Sequence, residues 1–426
     1  MPICLISVPP TVRYELLALA LIGTVSSTVF LALVLVAARR FRQSVLQNPH
    51  AAQKVPPAQL PPVTILKPVC GLEPQLESNL ASFFELDYPE YEIVFGCRTA
   101  DDPALAVITT LRARYPKVPV RIVCAGYPVW PNAKVFSLDR MIACASNHYF
   151  VISDSDILVT PDFLRNIVSP LLDPQVGLVT CLYSGTPNDD FWSRMEALGM
   201  SVEMPSGVLV AELLEGMKFA LGAGIATRRD VIDRVGGFAS ISDYCADDFI
   251  LGKRIAESGY AVVLSHQIVS HVLIGQGFLQ TFRTQLRWMQ STRFSRPKGH
   301  LGTVLTFAMP FGLLGMFSAF SLEQWWAGLA LIAWACLNRV TQAIAVGWGV
   351  IRDRQALRLC WIYPLRDLLG FFVWVTSYFC GSEFSWRGEQ YRFSEDGRFI
   401  PLSRGYTIPQ AAPADPQSSL VGKTSI

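Results

Sequence analysis

The chain has 426 residues, a net charge of +2, 51% hydrophobic residues and only 16% charged ones. That length exceeds one ordinary domain, and the balance leans toward membrane association. Near-neutral charge without a basic block interleaved with aromatics argues against a nucleic-acid partner. Ten scattered cysteines with no CxxC pair argue against paired zinc ligands or a disulfide framework, and fit a reducing cytosolic face.

After a short leading segment, 1–15, residues 16–38 are uncharged and long enough to cross a hydrocarbon core of about 30 Å. Arg39, Arg40 and Arg42 follow, which puts that end in the cytoplasm by the positive-inside tendency. The small residues Val36-Ala37-Ala38 also allow a cleaved signal peptide. The apolar core is too long for one and the basic cluster is on the wrong side, so an uncleaved anchor is expected. Residues 39–62 read as a basic, Pro-rich linker holding Pro49, Pro56, Pro57, Pro61 and Pro62.

Residues 63–299 alternate strand-like and helix-like patterns, which predicts an α/β layer fold with a largely parallel sheet. Strands are expected at 63–66, 91–97, 118–124 and through Val151-Ile152, with helices at 73–85 and 104–115. Within 300–380, the segments 304–320 and 325–350 read as a membrane hairpin with Trp325 and Trp326 at an interface, and Arg352, Arg354 and Arg358 as a cytosolic loop. The segment 361–380 carries Arg366 and Asp367, and reads either as a third crossing or as an interfacial or re-entrant element. The tail, 381–426, is polar and expected to be disordered from about Ser403.

The chemistry-bearing residues fall at strand ends. Ser153-Asp154-Ser155-Asp156 follows the apolar run 148–152, and two carboxylates one residue apart there can share a hard divalent cation, Mg or Mn. Thr160 reads as an N-cap and Pro161 as first residue of the next helix, and the bland alternative to a cation is an Asx-rich turn in which both acids cap backbone amides. Asp101 and Asp102 precede Pro103, and either start a helix or hydrogen-bond a nucleotide ribose or base. Lys134 is ordinary surface chemistry unless a diphosphate lies nearby. Asp247 and Asp248 precede the apolar stripe Phe249, Ile250, Leu251 and Ile255, and are either helix caps or carboxylates at a cleft edge, one of them a general base. Arg287 offers a donor fork for phosphate oxygens and Trp288 a flat wall, on a basic helix that also suits anionic headgroups. The Met-rich stretch 195–217 reads as core packing or as an entry for lipid chains.

Taken together, these residues resemble a processive-synthase-like inverting glycosyltransferase family, and within it the ceramide glucosyltransferases. The resemblance is carried by Leu66-Lys67-Pro68 with Gly71, Pro74, Leu76, Asn79-Leu80 and 83–89, by Asp101-Asp102-Pro103-Ala104, by Asp154 and Asp248 as second and third aspartate motifs, by Arg287-Trp288, and by Ser385-Trp386-Arg387 with Tyr391. It covers roughly residues 60–395. Thr284 stands where the family has Gln or Arg, flanked by Arg283 and Gln285, and Asp156 completes a full Asp-x-Asp. Stretches such as 154–157 and 177–183 also resemble bacterial relatives that glycosylate hopanoids with N-acetylglucosamine.

The resemblance implies a GT-A catalytic domain over 63–299, held by N-terminal and C-terminal transmembrane helices in a multi-pass protein, with the domain on the cytoplasmic face. It implies a UDP-sugar donor, glucose first, and a lipid acceptor of ceramide or hopanoid type. Lys67, Asp101, Asp102, Lys134, Asp247, Arg287 and Trp288 would then meet the nucleotide sugar, Asp154 and Asp156 the metal, and Asp248 the acceptor's primary hydroxyl. Single displacement would invert the anomeric carbon with no protein nucleophile. The alternatives are a lipid N-acetylglucosaminyltransferase using UDP-GlcNAc, a processive polysaccharide synthase, disfavoured by so few crossings, and a non-catalytic nucleotide-sugar-binding module.

Overall fold

The computed structural model describes residues 9–47, 54–275, 277–386 and 389–402. Residues 1–8, linker residues 48–53, Arg387 of the C-terminal block and the tail from 403 lie outside the described residues.

The first helix, Pro10–Gln47, is longer at both ends than its uncharged stretch. Its polar residues satisfy themselves locally: Thr24 Oγ1 donates to the Ala20 carbonyl at 2.8 Å and Thr28 Oγ1 to that of Thr24 at 2.6 Å. This lets hydroxyls sit in an apolar helix. The helix packs on Met309–Ser321 and Met204–Glu215, and Gly23 makes room for the Phe311 ring, which a Cβ there would overlap at 2.0 Å.

Eight strands form the central sheet: β1 Val63–Pro68, β2 Tyr91–Cys97, β3 Val120–Cys124, β4 Tyr149–Ile152, β5 Ile157–Leu158, β6 Val176–Thr186, β7 Ile225–Arg228 and β8 Ala261–Val272. Their order is β3-β2-β1-β4-β7-β6-β8-β5. The first four strands are parallel, and β6 is parallel to β8. The sheet is mixed rather than largely parallel, because β7 runs antiparallel to both β4 and β6. β1, β2 and β4 are almost wholly buried on both faces, so their residues read as unbroken apolar runs.

The turn after β5 also differs from expectation. The next helix is Phe163–Val168, not one starting at Pro161. Thr160 Oγ1 donates to the Asp162 carboxylate at 2.5 Å and accepts from Gln267 Nε2 at 3.1 Å, so it stabilises a turn instead of capping a helix there.

Among the described residues, three helices are long and apolar enough to cross a membrane, Pro10–Gln47, Phe191–Glu215 and Trp325–Trp348. A fourth crossing results if the bent pair Pro297–Thr306 and Met309–Ser321 counts as one. Phe191–Glu215 contains a π-helical turn, Gly199–Glu203, and a second one, Ala343–Trp348, extends the helix Trp325–Gln342. In Tyr363–Phe379, both charges are neutralised inside the bundle. Asp367 pairs with Arg339 at 3.1 Å and accepts from the Ala308 and Met309 amides, and Arg366 pairs with Glu203 at 3.0 Å. Removing one partner of the Arg339–Asp367 pair, buried on both sides, costs about 3–5 kcal/mol. A small antiparallel sheet, β9 Glu383–Trp386, β10 Glu389–Phe393 and β11 Phe399–Pro401, closes the described chain.

Candidate functional site

The carboxyl ends of β1 and β4 open on a cavity of about 940 Å³ that continues between the apolar helices. Its lining includes Lys134, Asp154, Asp156, Asp247, Asp248, Arg287 and Trp288 at one end, and Phe30, Met204, Val208, Phe307 and Val373 toward the other. Open α/β sheets collect ligands at such strand ends.

The chain forces this convergence locally. β4 ends at Ile152, Ser153 is buried, and the turn to β5 lifts Asp154 and Asp156 into the cavity. β5 pairs with β8 with Ile157 opposite His271, and His271 Nε2 therefore meets Asp156 Oδ2 at 3.0 Å. Lys134 opens the helix Ala133–Cys144, whose N-cap Asn132 accepts from the Lys134 and Val135 amides and donates to the Tyr244 carbonyl at 2.8 Å. That one amide side chain ties Lys134 to the loop before the helix Asp247–Glu257. Lys134 Nζ then bridges Asp154, at 2.7 Å, and Asp247, at 3.7 Å. Asp248 Oδ1 accepts from the Phe249 amide at 2.8 Å, the usual role of an acid in a first helical turn, and its other oxygen is turned to Gly222.

Charge in this cluster is finely opposed. Burial raises Asp248, and Asp247 beside it adds to the effect, so its carboxyl is pushed up to about 6. Burial also raises Asp247, although Lys134 opposes it. Lys134 is pulled down by burial, but Asp154 and Asp247 outweigh that and hold it firmly protonated. Burial pulls Lys67, beneath the site, down to about 7 against the pull of Asp154, Asp156 and Glu73. Burial opposes the charged form of Asp156 and of His271, yet each holds the other ionised, Asp156 shifting down and His271 up.

The structure brings Asp154, Asp156, Asp247, Asp248, Lys134, Arg287 and Trp288 to one cavity, and leaves three other sequence candidates off its lining. Asp102 spends its carboxylate on the Gly71 amide at 3.0 Å and the Ala104 amide at 2.9 Å, and so fixes the loop whose Val69 and Cys70 do line the cavity. Asp101 is exposed on that turn. Lys67 is fully buried, donates to Ser153 Oγ at 3.2 Å and to the Asp154 carbonyl, and lies 3.7 Å over the Phe83 ring. It supports Asp154 from below. Thr284 and Gln285 both line the cavity.

Several lining residues carry no local sequence signal. His271 is one of alternating residues on a strand and gains meaning only through the β5–β8 register. Glu73, which accepts from Ser155 Oγ at 2.6 Å, Tyr183 and Arg98 are similarly placed by the tertiary fold alone.

Among the described residues no group of three or more His, Cys, Asp or Glu side chains forms a ready metal cage. Two carboxylates suffice for Mg²⁺ or Mn²⁺, which keep several positions for water and phosphate oxygens. Asp156 Oδ1 is buried without a hydrogen-bond partner, an orphaned hard oxygen beside Asp154 in sequence and on the same cavity. This donor set fits such a cation.

Gly222 is the tightest point of the cluster. A Cβ there would stand 3.1 Å from Asp248 Oδ2 and 3.7 Å from Asp154 Oδ2. Gly222→Ala is therefore expected to lower kcat about a hundredfold by displacing the Asp248 carboxylate, with little change in thermal unfolding. Steady-state kinetics alongside a melting curve would check this, and an unaltered kcat would contradict the packing.

Residues 18–399 match Glycosyl transferase family 21. Ceramide glucosyltransferase 3 of Caenorhabditis elegans is 24% identical over 357 residues, spanning 81% of this chain and 75% of that protein. Ceramide glucosyltransferase 1 of the same organism is 24% identical over 382 residues, spanning 87% and 79%. A mannosyltransferase from Pyrobaculum calidifontis, solved in complex with GDP-Man and Mn2+, aligns with a TM-score of 0.48 at 20% identity, covering 84% of this chain and 99% of that one. The mixed α/β sheet with its strand-end cavity, set among apolar helices, resembles the fold expected of a GT-A glycosyltransferase. With the family match running through nearly all of the sheet and the helices that flank it, the chain belongs to glycosyl transferase family 21.

Proposed function

We propose that this glycosyl transferase moves glucose from UDP-glucose, with inversion, onto the primary hydroxyl of a membrane lipid, ceramide first, at the cytosolic mouth of a multi-pass protein. The single observation that carries the reading is one continuous cavity, lined by acidic and basic side chains at the sheet edge and, between the helices, by apolar side chains with a few polar ones among them. A donor with a charged diphosphate and an acceptor with long chains require such a pair of environments. The two C. elegans relatives are ceramide glucosyltransferases, which points the same way.

In this reading Asp248 accepts the proton of the acceptor hydroxyl as it attacks the anomeric carbon. Asp247 and Lys134 set its charge environment, and Lys134 is placed to meet a phosphate oxygen once Asp154 turns to a cation. Arg287 and Trp288 close the diphosphate side, and Asp102 and Lys67 hold the loops beneath. Asp154 and Asp156 would hold the divalent ion, with His271 fixing Asp156. When bound, that ion neutralises charge on the departing diphosphate. The arginines that follow the uncharged stretch of the first helix favour the cytosolic placement.

Purified chain offered UDP-glucose or UDP-GlcNAc with ceramide or a hopanoid polyol, and read by mass spectrometry, tests this reading. Glucosylceramide as main product supports it, and N-acetylglucosaminylated polyol as main product contradicts it. A base held near 6 must be deprotonated to act, so kcat/KM is expected to fall as pH drops through about 6. A pH–rate profile without an acid limb between pH 5 and 7 would remove Asp248 from that role.

A further inference from the structure

Between the helices the cavity is also lined by polar residues that the transfer step does not use. Arg366 is 8% exposed, and its Nη2 pairs with Glu203 at 3.0 Å. Two glycines give it space: a Cβ on Gly199 would stand 2.7 Å from Nε, and one on Gly370 3.1 Å from Nη1. Nε and Nη1 are nonetheless buried without a hydrogen-bond partner. Gln342 is 1% exposed. Its Nε2 donates to Ser206 Oγ at 2.9 Å, while the Ser206 proton goes to the Val202 carbonyl at 2.6 Å. The amide orientation is thereby fixed, and Oε1 is the end left buried and unpaired.

Both side chains line the same cavity as Asp248. Orphaned buried polar atoms are rare because each costs desolvation without return. Two donors and one acceptor left open on a ligand cavity describe the complement of a bound polar group. The backbone around them is also unusual: Gly199 opens one π-helical turn and Gln342 directly precedes the other. Such turns recur at functional sites.

We propose that Arg366 and Gln342 form the acceptor-recognition subsite, and that the group they take is a secondary amide of the lipid. Its carbonyl oxygen accepts from one of the two unpaired guanidinium N–H groups, on Nε or Nη1, and its N–H donates to Gln342 Oε1. This rests on the lipid-acceptor reading above and narrows it to lipids with an amide near the reacting hydroxyl. A polyol lipid has no such carbonyl.

The test uses the full chain in nanodiscs with UDP-glucose and two acceptors, ceramide and an analogue whose amide is replaced by an ether with the same chains and primary hydroxyl. The wild type is expected to show a KM about tenfold higher for the ether. Gln342→Leu and Arg366→Lys are each expected to raise the ceramide KM about tenfold, with the effect on KM rather than kcat, and to leave the ether KM where the wild type has it. Calorimetric UDP affinity reports that each variant is folded, and Gln342→Leu keeps the test alive if Arg366→Lys does not fold. Equal KM increases for both acceptors, or an unchanged ceramide KM in folded variants, would overturn the subsite while leaving ceramide transfer standing. Absence of any wild-type transfer to ceramide would instead overturn the lipid reading itself, and this subsite with it.

Discussion

Asp248→Asn is expected to abolish sugar transfer, lowering kcat by about 10³-fold, while UDP still binds. Asparagine keeps the shape of the side chain and can still accept from the Phe249 amide. It cannot take a proton. Asp248 is also the group whose surroundings oppose its charge: burial first, then Asp247, push it up to about 6, close to the value that suits a base working near neutrality. Loss of its negative charge should, if anything, ease repulsion on the donor diphosphate, so UDP affinity is expected to hold or tighten slightly. Transfer assays with radiolabelled donor, beside calorimetric titration with UDP, separate the two effects. A variant that loses UDP binding along with transfer would make Asp248 a binding residue only.

Chelation of divalent ions is expected to reduce transfer at least a hundredfold, with recovery on adding Mn²⁺ or Mg²⁺. Asp156 is ionised against burial by its pairing with His271, and its second oxygen has no protein partner. A carboxylate in that state is prepared for a cation. His271→Ala is accordingly expected to raise the metal concentration needed for half-maximal rate by about 10–100-fold, because a partner that orients a ligand counts nearly as much as the ligand. The maximal rate at saturating metal should recover largely. Metal titrations of the activity of both proteins would show this. Full activity after exhaustive chelation would contradict the assignment of Asp154 and Asp156.

Much of this arrangement was legible in the sequence because short-range chemistry wrote it. The strands before Lys67, Cys97 and Asp154 are buried on both faces, and a doubly buried strand cannot avoid an apolar run. The acids that follow β2 and β4, Asp101 and Asp102 after one and Asp154 and Asp156 after the other, were equally visible. Their direction was not: Asp102 and Asp154 both follow strands, yet Asp102 turns to the Gly71 and Ala104 amides while Asp154 meets Lys134. A carboxylate's choice between an amide two residues away and a cation from another element depends on the tertiary fold. His271 and Gly222 were silent for the same reason, since one acts through strand register and the other by lacking a side chain. The antiparallel β7 also escaped, because four residues with a single buried run do not reveal the sense of pairing.

The membrane region shows the same division. Hydropathy marked the hairpin segments, whereas Arg366 and Asp367 made the last one ambiguous. The structure resolves the charges by pairing them with Glu203 and Arg339 on other helices, which no local window contains.

The central claim is that Asp154 and Asp156 hold one cation beside one nucleotide at the mouth of the membrane cavity. Electron paramagnetic resonance of Mn²⁺ tests it most directly, with UDP present, in the wild type, in Asp248→Asn and in the double variant Asp154→Asn/Asp156→Asn. The account predicts UDP-dependent immobilisation of Mn²⁺ in the first two and its loss in the double variant. Undiminished Mn²⁺ and UDP binding in the double variant would contradict it.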